Sequence, residues 1–166
     1  MDDWRQYQSG GMGRLDFAYL MTPANDTLYP IGLLLDSLAV RFLDGNTIAY
    51  QFLSLVGVLG TLLVLQWRLL SLCIENPLIK ACAFSLTVLM LQPDTYWGWQ
   101  NMAFHQAIPL VCVLASLNIM LCERWRASWA IPSLIILGLV SGFSYTSGAF
   151  AILGLSFSVL LAQFFM

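Results

Sequence analysis

The sequence predicts an all-α protein: a polytopic transmembrane helix bundle with an amphipathic helix on its outer surface. Three observations predict it. Apolar residues fill 59% of the 166 positions and charged residues only 10%, where soluble domains average roughly 45–50% and 25%. A chain this short leaves much of its surface exposed in water, so that apolar area has nowhere to go. The apolar residues also gather in runs close to the roughly 20 that a membrane-spanning helix needs. Soluble globular, disordered and nucleic-acid-binding classes are excluded on composition.

Charge divides the chain in two. Residues 1–46 carry six acids and three bases, a net of −3, while residues 47–166 carry three acids and four bases, a net of +1. The first part reads as an acidic head loop on the outer face, the second as the membrane domain. Met1 is followed by Asp-Asp-Trp-Arg, with neither the basic start nor the apolar run of a signal peptide.

Within the head, residues 22–30 (TPANDTLYP) form a turn cluster marked by Pro23, Asn25, Asp26 and Pro30. Residues 30–43 (PIGLLLDSLAVRFL) then place Ile31, Leu34, Leu35, Leu38 and Phe42 on one stripe at helical spacing, with Asp36, Ser37 and Arg41 off it. This pattern suits a helix lying on the membrane surface, or an ordinary packed helix.

Five spans follow, at 48–70, 78–92, 103–122, 129–143 and 148–165. The second is short, and Lys80 near its start can snorkel to the interface. The last two are separated at SGFSYTSG (141–148), where small and polar residues interrupt a run too long for one span. Arg68 and Lys80 mark one turn and Arg124 and Arg126 another, whereas the alternate turns at 92–102 and 141–148 carry no Lys or Arg. By the positive-inside rule the basic turns are cytoplasmic. The chain is thus expected as a multi-pass protein of the cytoplasmic (inner) membrane, with the head, the 92–102 loop and the 141–148 loop on the outer face.

Both ends read as cuts in a larger bundle. A polar head is hard to translocate without a hydrophobic segment before it, and the chain stops at Phe165 and Met166 without a polar tail. Further helices from outside this sequence are therefore expected partners, together with the bilayer itself. The cysteines at 73, 82, 112 and 122 show no metal-ligand spacing and none falls in an outer loop, so they read as small buried hydrophobes. Gly138 and Gly142, four residues apart, suggest close helix packing.

The polar residues of the outer face are the candidates for chemistry. Asp2 and Asp3 are adjacent carboxylates, able to serve as a general base or to hold a divalent cation, or simply to form a solvated terminus. Asn25 and Asp26 suit a sugar or phosphate, or a helix cap. The segment 92–105 (QPDTYWGWQNMAFH) sets Tyr96, Trp97 and Trp99 beside Gln100, Asn101 and His105. Aromatic faces with adjacent amides match the stacking and hydrogen bonding of a sugar ring, although Trp and Tyr also gather as interface belts. His105, the single histidine, lies about one turn inside the third span. It suits a proton carrier or phosphate contact, or a bond to a neighbouring helix, and it has no second histidine for zinc. Tyr145 is placed to line a cavity at the break in the last hydrophobic stretch.

Taken in order, Asp2 and Asp3, the stretch ANDTLYPIGLLLDSLAVRFLDGN, the loop QPDTYWGWQNMAFH and the turn GFSYTSGAF resemble the GT-C class of polytopic membrane glycosyltransferases, in particular uncharacterised bacterial members. Where that class often has Glu-His-Arg after an Asn, this chain has Asp26, Thr27 and Leu28. The resemblance implies transfer of a sugar from a polyprenyl-phosphate donor to a cell-envelope acceptor at the outer face. Asp2 or Asp3 would then be the base, and Tyr96, Trp97, Trp99, Gln100 and Asn101 would shape the sugar pocket. His105 and Asn25 would lie near the donor phosphate. Metal dependence varies within the class, and no Mg or Mn site is readable. The competing expectations are a non-catalytic membrane subunit or transporter component, and a remnant without activity of its own.

Overall fold

The computed structural model describes residues 13–23, 28, 30–44, 46–90, 100–122, 126–144 and 146–165. The protein is all-helical, and no strand occurs among the described residues. A short helix α1 (Phe17–Leu20) and a longer α2 (Pro30–Phe42) make up the described part of the head. Then α3 (Thr47–Ser54), a π-helical turn (Leu55–Leu59) and α4 (Gly60–Cys73) run on as one rod. Four helices complete the chain: α5 (Pro77–Met90), α6 (Gln100–Leu121), α7 (Ala127–Ser144) and α8 (Thr146–Phe165).

Local chemistry explains several boundaries. Asn46 caps α3, its Oδ1 accepting from the Ala49 amide at 3.1 Å. Asn76 does the same for α5 through the amides of Leu78 (2.9 Å) and Ile79 (3.3 Å). Pro77 follows at the first helical position, where a missing N–H costs nothing. At the end of α2, Asp44 turns the chain with a φ of 48°, a left-handed conformation that Asp tolerates better than most residues.

Helix α6 is the hub, packing against α2, α3, the π-helical turn, α4, α7 and α8. Its inward face is small or polar: Ala107, Cys112, Ser116 and Asn118 are all buried. An apolar cluster joins Tyr50 and Val58 to Ala107, with Leu35, Ala39 and Leu43 of the α2 region and Ile108 and Val111 of α6 around it. The head is therefore fastened beside the second and third turns of α6.

Large apolar side chains point the other way. Ile48 is 77% exposed, Leu89 76% and Phe150 70%, whereas Asp36, Ser54, Ser141 and Ser144 are the most completely buried side chains. Two helices among the described residues are long and apolar enough to cross a membrane, Ile48–Cys73 and Ala127–Ser144. The apolar stretches Pro77–Leu89, Ala107–Leu121 and Ser147–Leu161 are shorter.

Three sequence expectations are corrected. The most buried face of α2 is not the Ile31–Leu34–Leu35–Leu38–Phe42 stripe: it carries Gly32, Leu33, Asp36 and Ser37, while Leu35 packs half-buried against the core cluster and Phe42 is 75% exposed. Helical spacing identifies a stripe, but contact with α6 and α7 decides which side is covered. Close helix approach falls at Gly148, where a Cβ would overlap the Ser141 carbonyl, while Gly142 has open space and Gly138 meets Ile152 only at ordinary van der Waals distance. Of the cysteines only Cys112 is buried; Cys73 and Cys82 are exposed and Cys122 is half-buried. All four are free thiols.

Candidate functional site

The best-defined polar cluster lies where α1, α2 and α3 meet. It is centred on Asp36, which is 1% exposed. An ionised carboxylate removed from water is costly unless donors surround it. Tyr50 of α3 supplies one, its hydroxyl donating to Asp36 Oδ1. Ser37, also buried, lies beside the half-buried Tyr19 of α1. Burial and the nearby Asp36 carboxylate together push the Tyr19 phenol above its usual pKa.

The cluster continues to the surface through Arg14 and Asp16. The guanidinium grips the carboxylate with both arms, Nε to Oδ1 at 2.8 Å and Nη2 to Oδ2 at 2.9 Å. Asp16 Oδ2 also accepts from the Tyr19 amide at 3.3 Å, capping α1. The hydrogen bond from Arg14 holds the Asp16 carboxyl below the ordinary carboxylate range. Arg14 in turn lies over the Tyr19 ring, 5.7 Å from its centroid. Acids, hydroxyls and a cation thus run from the exposed Arg14 to the buried Asp36. The arrangement can hold a carboxylate in a fixed orientation.

Gly13 brings the chain against α2 with a φ of 67°, leaving about 3.8 Å between its Cβ position and Arg41 Cβ. That left-handed conformation is one glycine adopts freely.

Among the residues singled out from the sequence, Asp2, Asp3, Asn25, Asp26, Tyr96, Trp97, Trp99 and Tyr145 lie outside the described residues. Gln100, Asn101 and His105 belong to the first two turns of α6. Asn101 and His105 are four residues apart, which puts them at register positions on one helix face. Pro109 follows four residues after His105; having no N–H, it cannot close the helical bond to the His105 carbonyl. The α6–α7 connection is short, so the two helices run as antiparallel neighbours. The start of α6 therefore shares an end of the bundle with the α7–α8 junction. No group of three metal-ligating side chains is found among the described residues.

Sequence reading missed Asp36 as a site residue. The available signal was an acid in the middle of LLLDSLAV; assigning it to the polar face of a surface helix hid its burial. No protein-family model matches this chain, and neither does any curated protein or solved structure.

Proposed function

We propose that the chain is a polytopic membrane protein of about five spans that transfers a sugar from a polyprenyl-phosphate donor to a cell-envelope acceptor. The observation that carries the membrane part is the inverted burial pattern. Leucines, isoleucines and phenylalanines cover the outside, while serines, Asn118 and Asp36 share the inside with a few apolar residues such as Leu62, Val58 and Ala107. Monomeric soluble proteins rarely expose contiguous apolar patches beyond a few hundred Å². In lipid the pattern is favourable, because small and polar residues let helices approach and bond across their interfaces.

The transfer reading rests on the resemblance of the head, the 92–105 segment and the 142–150 turn to GT-C glycosyltransferases. It is supported by the packing of the head against α6, whose first turns carry Gln100, Asn101 and His105. In this reading Asp2 or Asp3 takes the proton of the acceptor hydroxyl. Tyr96, Trp97 and Trp99 stack on the sugar, Gln100, Asn101, Asp26 and Tyr145 bond its hydroxyls, and Asn25 and His105 face the donor phosphate. The reading puts all of them on the outer face. A transporter role has less support, since the buried serines already donate to carbonyls: Ser54 to Gln51, Ser116 to Cys112, Ser141 to Gly148 and Ser144 to Val140.

The test is sugar transfer from labelled polyprenyl-phosphate donors by membranes carrying the full chain, with Asp2→Asn and Asp3→Asn compared for activity and insertion. One substitution should abolish transfer while insertion stays normal. Transfer that survives both, singly and together, would remove the acidic pair from the mechanism. A complete absence of transfer by the unmodified chain would favour a non-catalytic subunit.

A further inference from the structure

The α4–α5 hairpin carries a polar and aromatic cluster that the candidate site does not use. Gln66 Nε2 donates to Thr87 Oγ1 at 3.3 Å, and Lys80 Nζ donates to Ser71 Oγ at 3.4 Å. These two bonds fix the register of one helix against the other. Lys80 is also held through its backbone, its amide donating to the Asn76 carbonyl at 3.0 Å. Trp67 lies between the two bonds along α4. Its ring meets Phe84 edge-on, with centroids 5.2 Å apart and planes at 83°, and the Lys80 ammonium stands 5.6 Å from the Trp67 centroid. An ammonium and a hydroxyl are thus held side by side over a fixed ring.

The patch is exposed at Trp67 and Ser71, and it keeps donors to spare. An ammonium has three N–H groups and Ser71 takes one, while the Ser71 hydroxyl donates to nothing among the described residues. Arg68, also exposed, sits three residues before Ser71 on the same side of α4. Neither Lys80 nor Arg68 has a carboxylate partner among the described residues, and Glu75 is the single acid of the hairpin.

Depth points to the ligand. The apolar span Ile48–Cys73 has 26 residues, about 39 Å at the helical rise, against a hydrocarbon core of about 30 Å. Standing upright and centred, it leaves about 4–5 Å of helix among the headgroups at each end. Ser71 lies about 3 Å from the Cys73 end and Trp67 about 9 Å. The ammonium and hydroxyl therefore fall at phosphate level, with the indole just below, at the boundary where Trp is favoured.

We propose that this patch binds the headgroup of an anionic phospholipid, its phosphate seated on Lys80 Nζ and Ser71 Oγ with Arg68 adding charge beside it. The site rests on the membrane reading above and is independent of sugar transfer. Its depth selects a lipid phosphate over a dissolved one. A lipid held there ties α4 to α5 at the level of the interface.

Native mass spectrometry tests it on the full chain released from bilayers of equal phosphatidylglycerol and phosphatidylcholine. One phosphatidylglycerol per chain should be retained, about fivefold over phosphatidylcholine. Lys80→Gln should bring the two lipids to near-equal retention, and Lys80→Arg should keep the preference. Ser71→Ala should lower the preference about twofold; at an exposed position, it carries the test should Lys80→Gln not fold. Arg126→Gln, at the α6–α7 turn that the five-span reading puts on the same side, should change nothing. Melting temperatures unchanged among the variants are the control. Equal retention of the two lipids by the unmodified chain, or an undiminished preference in Lys80→Gln and Ser71→Ala, would overturn the site. So would an equal loss in Arg126→Gln, which would assign the preference to diffuse charge. Alkaline carbonate extraction separates this failure from a wider one. A chain that resists extraction and shows no preference lacks only the site, whereas a chain that is extracted is not embedded at all.

Discussion

Tyr50 on α3 donates its hydroxyl to Asp36 on α2, and both side chains are buried. The bond joins the head to the first long rod and fixes a carboxylate where water does not reach. Such pairs are expensive to break one side at a time, because the remaining partner stays buried without its bond. Tyr50→Phe should therefore destabilise the fold by about 1–3 kcal/mol. A double-mutant cycle with Asp36→Leu should show a coupling of about 0.5–3 kcal/mol. Additive effects in detergent-based thermal unfolding would mean that the two groups do not depend on each other.

The α7–α8 pair makes a sharper prediction about glycine. Ser141 Oγ donates to the Gly148 carbonyl at 3.1 Å, and a Cβ on Gly148 would run into the Ser141 backbone. That backbone cannot step aside like the end of a flexible side chain. Gly148→Ala should cost about 1–3 kcal/mol, with Gly138→Ala close to neutral as its comparison. Equal melting temperatures for the two variants would contradict the packing.

Asn118 links α6 to α4 by donating to the Leu65 carbonyl at 3.1 Å, and it also donates to Leu114 within its own helix at 2.8 Å. Its Oδ1 is buried and finds no partner among the described residues. Interhelical bonds of this kind contribute on average about 0.6 kcal/mol in membranes, with a maximum near 1.7. Asn118→Ala should lower stability by about 1 kcal/mol, measured by equilibrium unfolding in mixed micelles, and more where α4 leans on α6 than elsewhere.

The head should respond to pH at both extremes. Arg14 holds the Asp16 carboxyl low, so its contribution to α1 is complete above the ordinary carboxylate range and lost as pH falls through the depressed value. Arg14→Gln should move that loss to higher pH. Tyr19 is shifted the other way by burial and by Asp36. Its contribution is complete below the ordinary tyrosine value of about 10 and lost as pH rises through the raised one. The Tyr19 amide, followed by NMR across both ranges, reports each transition. An acid transition unmoved by Arg14→Gln would remove the ion pair from the account.

Composition and the length of the apolar runs determined that this chain is hydrophobic and helical, and the runs beginning at 48 and 78 placed the starts of α3 and α5 to within a residue. Those properties are local: an amide chain in an apolar setting must bond within itself, and a cap acts over three residues. The buried side of α2 was not local. Asp36 and Leu34 sit on faces of one helix that the sequence ranks by polarity, and a polar residue in this setting is sheltered inside the bundle instead of turned outward. Only the arrival of α3, with the Tyr50 hydroxyl in reach, and of α6 and α7 against the same face decided that Asp36 would be buried. The glycines repeat the lesson: spacing points to Gly138 and Gly142, and the path of α8 against Ser141 makes Gly148 the indispensable one.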